Sequence, residues 1–312
     1  MMRRVWLVLA FCFALVTRAS AQEWTGAEAL LAEGRIGPAE SLLFQAATIR
    51  PRDPEARIAL GRYLGSRGAL RVGAVLLEEA RLFGAEARRV ARDLAPLYRS
   101  LGDYRALVTL PGALLTAPER AQAVWFVSNQ PSLEMDDSAI AAYRAPRDTG
   151  SLGQVTIQVG AASFDADIDP HRHGVVLDAS RRKLAAVLFS SERNGGSTLG
   201  ALGEVRIGDA TLGNVPVAFE ALGDRGHPVI GLDVLWRLSP TFDPVHERLV
   251  LRRGRIAATR PGERVAVLMT SDGVRVLRAD GFIPLDGSEM LSALRGRAWT
   301  LDVRRGELLL EP

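Results

Sequence analysis

The chain of 312 residues has almost no cysteine: the single one is Cys12, inside an apolar segment near the N-terminus. If that segment is cleaved off, the remainder can form neither disulfide bonds nor thiolate metal sites. The roughly 290 residues that would remain are enough for about two domains with well-buried cores. Their fold would depend on packing and hydrogen bonds rather than on cross-links.

Long hydrophobic runs are also missing. The apolar run at residues 5–16 spans 12 residues, well short of the ~20 residues that a transmembrane helix needs. It follows Arg3 and Arg4 and precedes Ala19-Ser20-Ala21, a small-x-small cleavage site. Residues 1–21 are therefore predicted to be a secretory signal peptide. We expect an exported, periplasmic protein without a membrane span in the mature chain.

Concentrated charge is absent as well. The net charge is +3, Lys183 is the only lysine, and the arginines are interleaved with acidic residues. This distribution gives no indication of nucleic-acid binding. The four histidines (His171, His173, His227 and His246) lack metal-ligand spacing and are interpreted as surface or loop residues. With no phosphate-binding glycine loop and no nucleophile elbow, neither a metal nor a cofactor is predicted.

Small residues recur with a period of 34 in the segment 22–110, where Gly34, Gly68 and Gly102 are equally spaced. That period is typical of repeats built from two packed helices, with the glycines as turns between them. Small side chains then fall where helices pack closely, and larger ones face the next repeat; these positions are Ala39, Ala46, Ala80 and Tyr98. The segment resembles tetratricopeptide repeats, two good and one degenerate, which implies binding of a protein or peptide ligand.

Residues 111–150 are interpreted as a joining segment with a short helix near residues 119–126. From residue 151 to residue 254, short strands separated by turn residues predict a closed all-β domain. A helix is expected at residues 181–188. The expected strands are residues 154–159, 164–168, 174–177 (beginning at Gly174), 204–207, 215–219 and 248–251.

The sharpest local pattern is Val229-Ile230-Gly231, followed by a short helix from Asp233 and a closing strand. Glycine suits a place where two backbones approach closely. This part of the chain resembles single-lobe retropepsin-like aspartic proteases, in which two apolar residues and a glycine cross beneath the active-site loop. The resemblance covers roughly residues 154–254. It implies a barrel that supplies one catalytic aspartate.

Catalysis in that family needs two carboxylates that share a proton, and its motif is Asp-Thr-Gly after an apolar strand. Asp178 is the first candidate because an apolar strand precedes it. Asp169 is the second, by its distance from the first hairpin. Asp148, in a literal Asp148-Thr149-Gly150 without an apolar flank, is the third.

The residues after the first two candidates depart from the motif. Ala179-Ser180 follows Asp178, and Pro170-His171 follows Asp169. In the family motif, the threonine hydroxyl braces the loop and the glycine allows close contact with the facing lobe; both residues are replaced after Asp178 and after Asp169. Pro170 also removes a backbone donor from a loop that orients its carboxylate by hydrogen bonds. The sequence therefore predicts a degenerate catalytic motif.

Residues 255–312 are predicted to be a β extension that could be a shortened second lobe. Leu285-Asp286 and Leu301-Asp302 echo Leu232-Asp233 and Phe242-Asp243 at offsets of 53 and 59 residues. The extension is too short to include the half that carries a catalytic loop. The expected fold class is a multidomain α + all-β protein, with tetratricopeptide-like repeats and a retropepsin-like closed β barrel.

Two functions fit this organisation. The first is a pseudoprotease and scaffold that binds peptides or partner proteins without cutting them. The alternative is an active periplasmic aspartic peptidase that works as a homodimer through Asp178 or Asp169. The loss of Thr-Gly after both residues favours the first.

Overall fold

The computed structural model describes residues 26–312 except 112–113, 148, 184, 193–196, 224–225, 255–260 and 271. The predicted signal peptide and Asp148 lie outside the described residues. Helices make up the N-terminal part and strands most of the rest, so an α-plus-β architecture is confirmed. Within the described ranges, no helix is both long and apolar enough to cross a membrane.

The helical part runs from residue 26 to residue 128. Three of the described helices start at side chains that satisfy free backbone N–H groups: Asp53 accepts from the N–H of Glu55, Asp103 accepts from that of Ala106, and Thr116 forms a reciprocal capping box with Glu119. The helices are α1 (residues 26–32), α2 (Ile36–Ile49), α3 (Pro54–Ser66), α4 (Leu70–Leu82), α5 (Ala87–Leu101), α6 (Tyr104–Thr109) and α7 (Ala117–Ser128).

The three equally spaced glycines lie in turns between consecutive helices. Their φ angles are +73° at Gly34, +83° at Gly68 and +68° at Gly102, a region that favours glycine. The predicted packing residues Ala39, Ala46, Ala80 and Tyr98 are buried. Helix α6 has only six residues, so the third pair is short. The tetratricopeptide assignment itself stays a prediction.

The described strands begin at residue 132. They are β1 (Ser132–Glu134), β2 (Ser138–Arg144), β3 (Gln154–Val159), β4 (Ala162–Asp169), β5 (Val175–Asp178), β6 (Val187–Glu192), β7 (Thr198–Ile207), β8 (Ala210–Glu220), β9 (Val229–Gly231), β10 (Thr241–Asp243), β11 (Arg248–Arg252), β12 (Glu263–Thr270), β13 (Gly273–Arg278), β14 (Gly281–Pro284), β15 (Trp299–Asp302) and β16 (Glu307–Leu310). Two short helices lie among them, α8 (Leu232–Leu235) and α9 (Ser288–Leu294).

Six strands close into a barrel in the order β3, β4, β9, β5, β8, β7 and back to β3. The pairs β4–β9 and β5–β8 are parallel and the others antiparallel. The predicted strands all lie within or overlap observed ones. The predicted helix at residues 181–188 was wrong at its C-terminal end: a 3-10 turn covers Ala179–Lys183, but Val187 and Leu188 belong to β6, because pairing with β7 overrides local propensity.

A second sheet joins the barrel to the C-terminal β extension, which is called the tail below (described residues 261–270 and 272–312). Its order is β12-β16-β15-β10-β11-β2, and the centre is the antiparallel pair β10–β15. There Thr241 lies opposite Thr300 with 2.6 Å between their hydroxyl oxygens, and the ring of Phe242 stacks on Trp299 at 4.0 Å. One hydrophobic core runs from β2 through the barrel to Leu310, so the tail packs as part of the β region.

The helical array contacts the β region through its glycine turns. Gly68 lies so close to the carbonyl of Val303 that a Cβ has no room. Next to it, the Arg67 Nη1 donates to the carbonyls of Val267 (2.8 Å) and Gly306 (2.6 Å). At the third turn, Arg237 donates to the carbonyl of Ser100 (2.9 Å). The array is therefore fixed against both the tail and the barrel.

Candidate functional site

The segment from Asp169, the last residue of β4, to Gly174 forms a loop that lies directly on the end of β9. In the parallel pair β4–β9, Ile168 lies opposite Ile230 and Asp169 opposite Gly231. The N–H of Gly231 donates to the carbonyl of Gly174 (2.7 Å), and a Cβ on Gly231 would collide with the loop backbone at Arg172. Val229-Ile230-Gly231 therefore crosses beneath a loop, and the aspartate at the start of that loop is Asp169.

The carboxylate of Asp169 is oriented by its own loop. Its Oδ1 accepts the backbone N–H of His171 at 2.7 Å. Pro170, between them, has no N–H to offer. The loop thus gives this carboxylate one backbone donor two residues on, in the manner of an Asx turn.

His171 connects this loop to the tail. Its Nε2 lies 2.9 Å from Oδ2 of Asp286, whose side chain is 8 % exposed. The ring lies against Gly273, where a Cβ would come within 2.7 Å of it. Burial alone would lower the pKa of His171, but the hydrogen bond and charge of Asp286, the charge of Asp169 and a hydrogen bond with the backbone of Asp272 together raise it. These contacts therefore stabilise the imidazolium form relative to that of a free histidine.

Asp233 holds the other end of the loop. It accepts the N–H of Gly174 at 3.0 Å, and its carboxylate lies 3.5 Å from Nδ1 of His173. Asp233 and Asp286 are the two aspartates that the sequence echo pairs at an offset of 53 residues. One belongs to the barrel and the other to the tail, and together they fix both ends of the loop.

Asp178 lies elsewhere. It ends β5, and four residues of extended strand place it on the order of 13 Å from Gly174. Its carboxylate accepts hydrogen bonds from the hydroxyl and N–H of Ser180 and from the N–H of Leu222 (3.0 Å). These bonds, those from Ser180 first, lower the pKa of Asp178. The residue caps the following 3-10 turn, and the structure does not bring it to the Asp169 loop.

Of the third candidate motif, Thr149 and Gly150 are described and Asp148 is not. The N–H of Gly150 donates to the backbone carbonyl of Asp286 at 3.3 Å, and Gly150 has a φ of +89°. The turn that enters the barrel therefore packs beside the residue that binds His171.

A cleft of ≈ 390 Å³ opens between this loop and the helical array. Its volume lies within the range of about 300–1,000 Å³ that is usual for small-ligand sites. The array, the Asp169 loop, the 3-10 turn that follows α8 (Trp236–Leu238) and the tail all contribute walls. Its lining residues include Arg62, Arg92, Pro96 and Leu97 from the array, Pro170–His173 and Trp236 from the barrel, and Met269 and Thr270 from the tail.

Sequence reasoning missed how these groups come together. His171 and Asp286 are 115 residues apart, and no local pattern links them. The echo of Leu232-Asp233 in Leu285-Asp286 marked Asp286, but only as part of a possible shortened second lobe. The array residues of the cleft carry no chemical motif at all. Their position depends on how the turns at Gly68 and Gly102 meet the β region.

Among known proteins, the chain matches no family model and no curated sequence. A solved structure of a retropepsin-like aspartic protease from Rickettsia conorii is similar to part of it, with 20 % identity and a TM-score of 0.27. The similar part is 39 % of this chain and 92 % of that protease. So low a TM-score assigns no activity.

Proposed function

We propose that this chain is an exported, non-catalytic peptide-binding protein, in which a retropepsin-like barrel forms one wall of a cleft and the helical array forms the other. The observation that carries the proposal is the position of His171. Its N–H bonds to Asp169 and its ring bonds to Asp286. A histidine therefore binds both carboxylates, whereas an aspartic protease needs two carboxylates that share one proton.

The sheet between barrel and tail supports the same proposal. A homodimer with one aspartate from each chain needs a free face on which the second copy can pack. The edge of β10 is instead paired with β15 of the same chain, and Phe242 is covered by Trp299. The tail thus occupies this edge, and a second copy has no access to it.

The test is a cleavage and binding assay on the purified full chain. A pool of random peptides is incubated from pH 3 to pH 7 with the wild type, Asp169→Asn and Asp178→Asn, and products are measured by mass spectrometry. We expect intact peptides from all three proteins and retention of part of the pool on immobilised wild type. Cleavage that disappears in Asp169→Asn would establish the alternative, an active peptidase.

Export is part of the proposal and has its own test. The apolar run and Ala19-Ser20-Ala21 support cleavage after Ala21. Expressed in a Gram-negative host, the chain should be recovered from the periplasmic fraction with Gln22 as its first residue. A protein recovered from the cytoplasm with its first 21 residues intact would contradict the export assignment.

A further inference from the structure

The cleft between the array and the Asp169 loop has an unbalanced set of charges. Arg62 pairs with Asp93 (2.8 Å), Arg172 with Glu220 (3.3 Å) and His173 with Asp233 (3.5 Å). Arg92 lines the same cleft, and within the described parts of the chain no carboxylate lies within ion-pair distance of its guanidinium. Among the residues that the structure describes, Arg92 is therefore a cation of the cleft that no carboxylate neutralises.

A second polar group in the same helix lacks its usual donor. Pro96 lies inside α5 and has no N–H, so it cannot donate to the carbonyl of Arg92 four residues earlier. Arg92 and Pro96 both line the cleft. An unneutralised guanidinium and a carbonyl without its helical donor thus belong to one residue. A peptide end, with a carboxylate and a backbone N–H close together, has the complementary groups.

The rest of the wall is apolar. Leu97, Trp236 and Met269 come from the array, the barrel and the tail, and each is half-buried. Covering such side chains stabilises a complex by the hydrophobic effect. Because three separate parts of the chain supply them, the apolar surface exists only in the assembled cleft.

We propose that this cleft binds the C-terminal end of a peptide whose last side chain is large and apolar. The terminal carboxylate pairs with Arg92, an N–H of the peptide reaches the carbonyl of Arg92, and the last side chain packs among Leu97, Trp236 and Met269. This assignment rests on the proposed peptide-binding function and names the part of the ligand that is recognised. The chemistry recognised is an organic carboxylate on an apolar body.

The test uses two fluorescein-labelled hexapeptide pools, random except for a C-terminal leucine, one with a free carboxylate and the other amidated. Fluorescence anisotropy with the full chain should give about tenfold weaker binding for the amide pool, since it lacks the charge-assisted bidentate pair. Arg92→Gln should weaken the free-acid pool by a similar factor. Arg88→Gln, an exposed arginine on the same helix outside the cleft, should leave binding unchanged.

The outcomes separate the two proposals. Equal binding of both pools, or no effect of Arg92→Gln, overturns the carboxylate assignment while peptide binding stands. Binding of neither pool overturns the proposed function as well. Octanoate supplies the lipid arm: if it displaces the free-acid pool as strongly as acetyl-Leu-Leu does, the ligand is a lipid-derived carboxylate and the peptide assignment is overturned.

Discussion

The barrel and the tail contain the same succession of elements with different surroundings. In the barrel, β9 leads through α8 into the hairpin β10–β11; in the tail, β14 leads through α9 into β15–β16. The register is also the same, since Thr241 lies opposite Val250 and Thr300 opposite Leu309. What differs is the strand end: the N–H of Gly231 bonds to the overlying loop, and its counterpart Pro284 has no N–H.

This difference shows which parts of the succession of strand end, short helix and hairpin each region contains. The barrel has both the loop-supporting strand end and the hairpin that packs in the central sheet. The tail has the hairpin, and its aspartate, Asp286, binds a histidine of the barrel loop. The tail therefore contributes packing and one anchoring carboxylate to the site.

The largest expected effect on the stability of the protein comes from changing the aromatic pair where the barrel and the tail meet. Trp299 is fully buried and stacks on Phe242, so Trp299→Ala should lower the free energy of unfolding by about 3–5 kcal/mol. Urea unfolding followed by circular dichroism measures this. The milder Trp299→Phe should lose less and keeps the test usable if the alanine variant does not fold.

The contact can be separated from simple burial by a double variant. Since the two rings touch, Trp299→Ala combined with Phe242→Ala should cost less than the sum of the single losses. Additive losses, or a loss below about 1 kcal/mol for Trp299→Ala alone, would mean that the tail does not pack on the barrel as described.

Parts of the fold with a local signal could be predicted from the sequence. The turns at Gly34, Gly68 and Gly102 need a positive φ, which favours glycine, so the spacing of the glycines predicted these turns. The alternation of residues 154–159 predicts β3. Strand β2 was missed because its inward positions are Ala139, Ala141 and Tyr143 while Ile140 points outward. The large apolar side chain of Ile140 is exposed while the small side chains beside it are buried, so hydrophobicity along the strand does not follow burial.

The candidate site was less predictable than the fold. Pairing with Gly231 brings Asp169 to the overlying loop, and that parallel register joins strands about sixty residues apart. The apolar flank that pointed to Asp178 is real, yet it is the flank of a strand that leads away from the loop. The cleft itself depends on the docking of the array, which no local pattern encodes.

The second expected effect compares the matched aspartates of the two hairpins. Asp243 accepts from the N–H of His246 (3.1 Å), its ring (2.8 Å) and Nε of Arg248 (2.8 Å). Asp302 is equally buried and its Oδ1 accepts the N–H of Arg305 (3.2 Å), but within the described residues its Oδ2 accepts no hydrogen bond and lies 3.8 Å from Nε of Arg305. Asp243→Asn should therefore lower the free energy of unfolding by about 1.5–3 kcal/mol at pH 7, and Asp302→Asn by under about 1 kcal/mol.

The dependence on pH provides the control for this pair. Burial alone would raise the pKa of Asp243, but hydrogen bonds from Arg248 and His246 lower it overall. A carboxylate with a lowered pKa stabilises the folded state above its ordinary pKa of about 4 and loses that contribution as the pH falls further. The deficit of Asp243→Asn, measured by urea unfolding, should shrink below pH 4. Equal deficits for both variants at pH 7 would contradict the asymmetry.

The smallest expected effect on stability concerns the hydrogen bond between His171 of the barrel loop and Asp286 of the tail. The pKa of His171 is raised in the folded chain by Asp286, Asp169 and the backbone of Asp272, against the effect of burial. Such a group contributes fully below its unfolded pKa of about 6.5, and the contribution disappears as the pH rises through the folded value. Because 41 % of the side chain is exposed, solvent screening keeps the effect below about 1 kcal/mol.

Urea midpoints between pH 5.5 and pH 8.5 should therefore fall slightly with rising pH in the wild type. His171→Gln should remove that slope, because glutamine can still donate to Asp286 but carries no titrating charge. His173→Gln, changed on the same loop, should retain it. A slope that survives in His171→Gln would place the titrating group elsewhere and leave the bond to Asp286 as a neutral hydrogen bond, in which case charge does not hold the loop to the tail.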